Sequence, residues 1–99
     1  MFNVETYQRV HTIGSEGSQD GQLNWPSGVA VSGGLVYVTD NENNRMQVFN
    51  AETYQHVRTI GSGGSQVGQF QNPFGVAVSG GLVYVTDEGN NRMQVFRAY

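Results

Sequence analysis

Apolar and polar residues alternate through three short runs, Val-Ala-Val at 76–78, Leu-Val-Tyr-Val-Thr at 82–86 and Met-Gln-Val-Phe at 93–96. β-branched and aromatic side chains dominate them, as they do in half-buried strands. Ser79-Gly80-Gly81 parts the first run from the second, and Asp-Glu-Gly-Asn-Asn-Arg at 87–92 parts the second from the third; both separators are dense in turn formers. The pattern predicts a three-stranded antiparallel meander over 75–97. The same words recur 47 residues earlier over 28–49, where only Asn41 and Glu42 replace Glu88 and Gly89. Residues 1–52 lie over 48–99 without a gap and 38 of the 52 pairs are identical, so the chain is a tandem repeat.

A fourth strand is expected after each meander, at 53–60 in one copy and at 6–13 in the other, closed by Gly61 and Gly14. Its alternation is interrupted by His56 and Arg58, which suits the outer, wetter strand of a four-stranded unit. A helix over 51–57 would lack the spaced apolar positions it needs. The chain then consists of one complete unit, residues 28–60, and a second unit split between its ends, residues 5–13 and 75–97. Each end presents a strand edge with backbone groups to satisfy, and head-to-tail pairing with other copies is the expected solution. Apolar side chains point to both faces of each sheet, Val83 and Val85 to one and Leu82 and Tyr84 to the other. Two stacked units cover one face each. The uncovered faces would expose several hundred Å² of apolar surface, and repeat units are generally stable only once about three stack.

Composition narrows the function. With 99 residues, 37% of them hydrophobic and 14 Gly, the chain fits short strands and tight turns within a single thin-cored domain. The net charge is -3, and the five basic residues are all Arg and lie scattered, which disfavours a phosphate-tracking surface and therefore nucleic acid. Without Cys there is no disulfide framework or thiolate metal site. The residues from Met1 form no charged and apolar leader, and no apolar run approaches a membrane span, so neither a membrane association nor an address is expected.

The pattern Phe-x-x-Pro-x-Gly-Val-Ala-Val, Gly, Val-Tyr-Val-Thr-Asp, Asn-x-Arg-Met-Gln-Val-Phe resembles the NHL repeat, a β-propeller blade. It stands as Phe70, Pro73, Gly75, Gly81, Asp87, Asn90 and Arg92 in one copy, and as Leu23, Pro26, Gly28, Gly34, Asp40, Asn43 and Arg45 in the other. The resemblance implies an all-β propeller of four-stranded antiparallel blades, usually six to a ring. Two blades per chain then imply a homotrimer first and a tetramer second. Near-identity of the repeats fits a fragment of a young tandem array or an engineered repeat protein.

Candidate chemistry is sparse. Asp40 with Arg45, and Asp87 with Arg92, are read as structural staples, the carboxylate accepting N–H bonds in the turn that follows and the guanidinium pairing with it or reaching the next blade. His11 and His56 align with Arg58 and Arg9 and have no ligand partners at metal spacing. The innermost strand, Val29-Ala30-Val31-Ser32 and its copy, offers no channel ligand for a hydrolase or lyase of propeller type. The loops Gly61-Ser62-Gly63-Gly64-Ser65 and Gly14-Ser15-Glu16-Gly17-Ser18 lack the Lys and helix of a phosphate loop. Asp20 and Glu16 fall short of a Ca²⁺ ligand set. No catalytic residue, metal or cofactor is expected. Of 12 mismatches within one period, eight (16, 20, 23, 24, 25, 27, 41 and 42) fall in connections on one rim of the disc. Trp25, Ser27, Asn41, Glu42, Asn72, Phe74 and Glu88 on that rim are the candidate recognition residues. The first reading is a non-enzymatic, self-assembling scaffold that binds copies of itself and a protein or small-molecule ligand. An RNA-binding NHL propeller is the alternative, opposed by the acidic rim residues Glu16, Asp20, Glu42 and Glu88. A propeller hydrolase or lyase comes third.

Overall fold

The computed structural model describes residues 8–98, and its regular structure is all β apart from two single turns of 3-10 helix. The first blade is a four-stranded antiparallel sheet in chain order, β1 (Pro26–Ser32), β2 (Leu35–Asp40), β3 (Arg45–Asn50) and β4 (His56–Ile60). The second has three strands, β5 (Pro73–Ser79), β6 (Leu82–Asp87) and β7 (Arg92–Arg97).

The hairpins follow from local chemistry. Gly33 and Gly34 sit at φ 58° and 79°, and Gly80 and Gly81 at 58° and 77°, the two positive φ values that a two-residue turn matched to strand twist requires. The second connection of each blade is a 3-10 turn, Asn41–Asn43 and Glu88–Asn90, ended by Asn44 and Asn91 at φ 54°. Asn is among the few non-Gly residues that tolerate this left-handed geometry. The expected outer strand over 53–60 begins only at His56. Upstream, the Asn50 side-chain oxygen accepts the N–H groups of Glu52 and Thr53 at 2.7 and 2.8 Å, and this Asx turn claims the residues that would otherwise extend β4. Of the outer strand expected at 6–13, residues 6 and 7 lie outside the described residues, and residues 8–13 belong to none of the seven strands.

The core lies between the two blades. Tyr37, Met46 and Val48 of the first pack against Val83 and Val85 of the second, with Phe70 from the connecting loop sealing the gap. Each fully buried side chain of this size contributes about 1.5–3 kcal/mol through removal of apolar surface from water. The blades also meet backbone to backbone: a Cβ at Gly28 would stand 2.6 Å from the Phe74 carbonyl oxygen, so only Gly allows the approach.

The loop at 14–24 repeats the geometry of the one at 61–71. Gly17 N–H donates to Leu23 O at 3.1 Å as Gly64 N–H does to Phe70 O at 3.0 Å, and Leu23 N–H to Ser15 O at 2.8 Å as Phe70 N–H to Ser62 O at 2.8 Å. Gly14 and Gly61 share φ values of 91° and 90°. The second loop leads from β4 across to the next blade. The first therefore leads out of residues 8–13 into the first blade in the same manner.

Candidate functional site

Each blade carries one polar cluster, built around the Asp that ends its second strand. Asp40 and Asp87 are both fully buried. Arg45 Nε donates to Asp40 Oδ2 at 2.7 Å, and Arg92 Nε to Asp87 Oδ2 at 2.8 Å. From the 3-10 turn that follows, the carboxylate accepts the side-chain amide of Asn43 or Asn90 and makes no capping bond to the turn's backbone. Its other oxygen accepts a backbone N–H from the preceding interblade loop instead, Asn24 for Asp40 and Gln71 for Asp87, both at 2.7 Å. The guanidinium likewise reaches back rather than onward: Arg45 donates to the carbonyls of Ser18, Gln19 and Gln22 at 2.8–2.9 Å. The cluster thus clamps the incoming loop onto the blade. Burial alone pushes the Asp87 carboxyl up, but bonds from Gln71 N–H, Asn90 and Arg92, together with the Arg92 charge, outweigh it and hold the group below the ordinary carboxylate range.

Two members of this cluster escaped the sequence reading. Gln47 is buried, its Nε2 donating to Asp40 Oδ2 at 3.2 Å and to Gln22 O at 2.5 Å while its Oε1 accepts Gly21 N–H at 2.8 Å. Asn43 Nδ2 donates to Asp40 Oδ2 at 3.0 Å and to Gly17 O at 2.8 Å, and Asn90 and Gln94 do the same in the second blade. The signal was present as polar residues repeated unchanged inside otherwise apolar words. Among the described residues, no buried side-chain polar atom is left without a partner.

The candidate rim residues are brought together, several of them at the junction between blades. The interblade loop and the 3-10 turn of each blade share one rim, tied by Glu42 N–H to Asn24 O at 3.0 Å and Gly89 N–H to Gln71 O at 2.7 Å. Ser27 Oγ donates to Pro73 O at 3.1 Å and Phe74 O at 2.9 Å, and Asn41 Nδ2 donates to Pro73 O at 3.0 Å. Asn72 Nδ2 donates to Asn41 Oδ1 at 3.1 Å, and Asn44 Oδ1 accepts the Asn72 N–H at 2.9 Å. Thr39 Oγ1, which was not singled out from the sequence, donates across the same junction to Phe74 O at 2.7 Å. Trp25 is 75% exposed and Phe74 52% exposed, while Glu42 and Glu88 face solvent.

The histidines lie away from the blade junction, although His56 Nε2 comes within 3.9 Å of the Asp20 carboxylate in the interblade loop. His11 stacks on Tyr54 at 4.3 Å between ring centroids, and His56 Nε2 lies 2.9 Å from Thr59 Oγ1 with its ring edge-on to Phe49. Among the described residues, no group of three or more His, Cys, Asp or Glu could hold a metal, and no helix is long and apolar enough to cross a membrane.

Antiparallel blades of four and three strands, stacked face to face and repeated along the chain, define a propeller-type repeat protein. A sequence profile of the NHL repeat matches residues 23–49 and 70–96, together more than half of the chain, and the chain belongs to the NHL-repeat family. The NHL repeat is generally a non-enzymatic protein-interaction scaffold. Over 37 residues the chain is 51% identical to RING finger protein nhl-1 of Caenorhabditis elegans, a match covering 36% of this chain and 4% of that relative.

Proposed function

We propose that the chain is a self-completing unit of a non-enzymatic propeller scaffold, with other copies of itself as its first partner. One observation carries this reading. The two blades bury complementary faces against each other, and the chain exposes a second set of the same two faces. Met46 and Val48 are 0% and 3% exposed, whereas Met93 and Val95, at the same places in the same strand, are 58% and 49% exposed. On the opposite side, Val29 and Val31 of the first blade are exposed, while their counterparts Val76 and Val78 pack on the core.

A second copy stacked head to tail would cover both. Residues 8–13 would then form the missing outer strand beside β7 of that copy. The register is given by the complete blade, where Met46 faces Ile60 and Val48 faces Arg58. By repeat equivalence Met93 would face Ile13 and Val95 would face His11. Three chains would give six blades, and four would give eight. The completed disc would present its rim as the surface for a protein or small-molecule ligand. Near-identical repeats accord with a segment of a tandem array or an engineered repeat protein. Sedimentation equilibrium over a concentration series tests the reading: a mass three times that of the chain is expected, fourfold is the second outcome compatible with a closed ring, and a monomer throughout would refute it.

A further inference from the structure

The self-completing reading explains why the exposed faces match but leaves the differences between the repeats unexplained. Those differences cluster at one place. Ser27, Asn41 and Asn72 form the polar junction inside the chain. Their repeat equivalents are Phe74, Glu88 and Trp25, and these three would meet only where the second blade of one copy stacks on the first blade of another. Inside the chain, two side chains donate to the Pro73 carbonyl. At the outer junction Phe74 and Glu88 have no donor for the equivalent Pro26 carbonyl, so the polar contact cannot be repeated.

What replaces it is readable from the residues. Beside Pro26 the exposed face of the first blade carries a cavity of about 240 Å³ lined by Pro26, Ser27, Gly28, Val29 and Val38. The Phe74 ring stands where Ser27 would place its hydroxyl over the matching site inside the chain. Trp25 occupies the place of Asn72, whose amide pairs with Asn41. An indole has one donor and no acceptor, and the ionised Glu88 has acceptors alone, so the two can substitute for the amide pair. Backbone conformation gives no reason for Trp here. Its φ is 58°, and Asn72 sits at 53°, a region that suits Asn and strains a bulky residue.

We infer that the mismatched rim residues are an address for a second copy of this chain: Trp25 of one copy docks against Phe74 and Glu88 of the next, its indole N–H donated to the Glu88 carboxylate. The polar set inside the chain and the aromatic set outside it make the two junctions chemically distinct, which fixes head-to-tail order. This rests on the self-completing reading.

Trp25 is the sole tryptophan, so its emission reports the junction directly. Mass and emission maximum are measured on one dilution series of the wild type and of Phe74→Ser, Glu88→Lys and a Glu52→Gln control. The wild-type emission is expected to shift to shorter wavelength in step with mass. Phe74→Ser and Glu88→Lys should each raise the concentration of half-assembly about tenfold or more, the usual effect of losing one interfacial anchor, with the control within about twofold. Circular dichroism verifies that the variants keep their sheet content, and Trp25→Phe, which retains a ring without the donor, should weaken assembly to an intermediate degree. Assembly by mass with Trp25 still water-exposed, or with all variants indistinguishable from wild type, would sink the address and leave the self-completing reading intact. A wild type that stays monomeric would sink the reading itself.

Discussion

The words Arg-Met-Gln-Val-Phe occur twice in this chain, as the start of β3 and as the start of β7, and the two copies live in different surroundings. In the first blade four consecutive residues are buried, Met46 to Phe49, because β4 closes one side and the second blade covers the face. In the second blade the burial alternates and nothing beyond half-burial is reached. Strand β6 shows the reverse, with Val83 and Val85 buried where Val36 and Val38 of β2 are only half-covered. Identical sequence with inverted burial teaches that each blade's face is a half-site. Its partner in one case is the neighbouring blade, and in the other the face stays open among the described residues.

Removing the buried carboxylate should have the largest effect, and it should act on both blades. Asp40→Ala removes the acceptor that Arg45 Nε, Asn43, Gln47 and the Asn24 N–H share and leaves the partly buried Arg45 charge without its counter-ion, and a loss of about 3–5 kcal/mol in urea unfolding is expected. Asp87→Ala should be similar, because the clamp lies within a blade rather than between blades. A large gap between the two variants would show that the blades are not equivalent even internally.

Core truncation should separate the blades most cleanly. Met46→Ala should cost about 2–5 kcal/mol at any concentration. Met93→Ala should cost within about 0.5 kcal/mol for the lone chain, the range for an exposed site, and approach the Met46 value once assembly is complete. Equal effects in dilute solution would break the comparison.

Acid provides a third probe. The Asp87 carboxyl is held below the ordinary range when folded, so folding favours its ionised form. Its contribution is therefore full above about pH 4 and is lost as pH falls through the lowered folded value. Stability measured against pH should decline on the acid side in wild type, and the decline should be shallower in Asp87→Asn.

The smallest expected effect concerns the hydroxyls at the junction. Thr39→Val removes the bond to Phe74 O and should cost about 0.5–1.5 kcal/mol. Thr86→Val should leave the lone chain nearly unchanged, since among the described residues the exposed Thr86 Oγ1 bonds only within its own blade, accepting Gly75 N–H at 2.6 Å. Chemical denaturation of the two variants in parallel checks the difference.

Much of this molecule was legible from residue order. The Ser-Gly-Gly-Leu hairpins, the alternation through 82–86, the 47-residue period and the pairing of each Asp with the Arg five positions on all follow from local rules that act within a few residues. Less legible was the direction in which Asp40 and Arg45 point. Besides each other and the adjacent turn, their partners lie 16 to 27 residues away in the incoming loop, which spacing alone does not indicate. The rim residues were found as mismatches between repeats, but their position at a junction needed coordinates, because Ser27 and Pro73 are 46 residues apart in the chain and 3.1 Å apart in space.

By itself, then, the sequence determined the inner three strands of each blade, where they turn, and that the motif is used twice, while the outer strand was placed only in part. It could not determine which copy of a strand is covered, since two identical words carry identical propensities and burial is a property of the neighbour. Only the tertiary structure decided that Met46 lies against another blade while Met93 faces water, and that Asp40 holds the chain entering its blade as well as the turn leaving it.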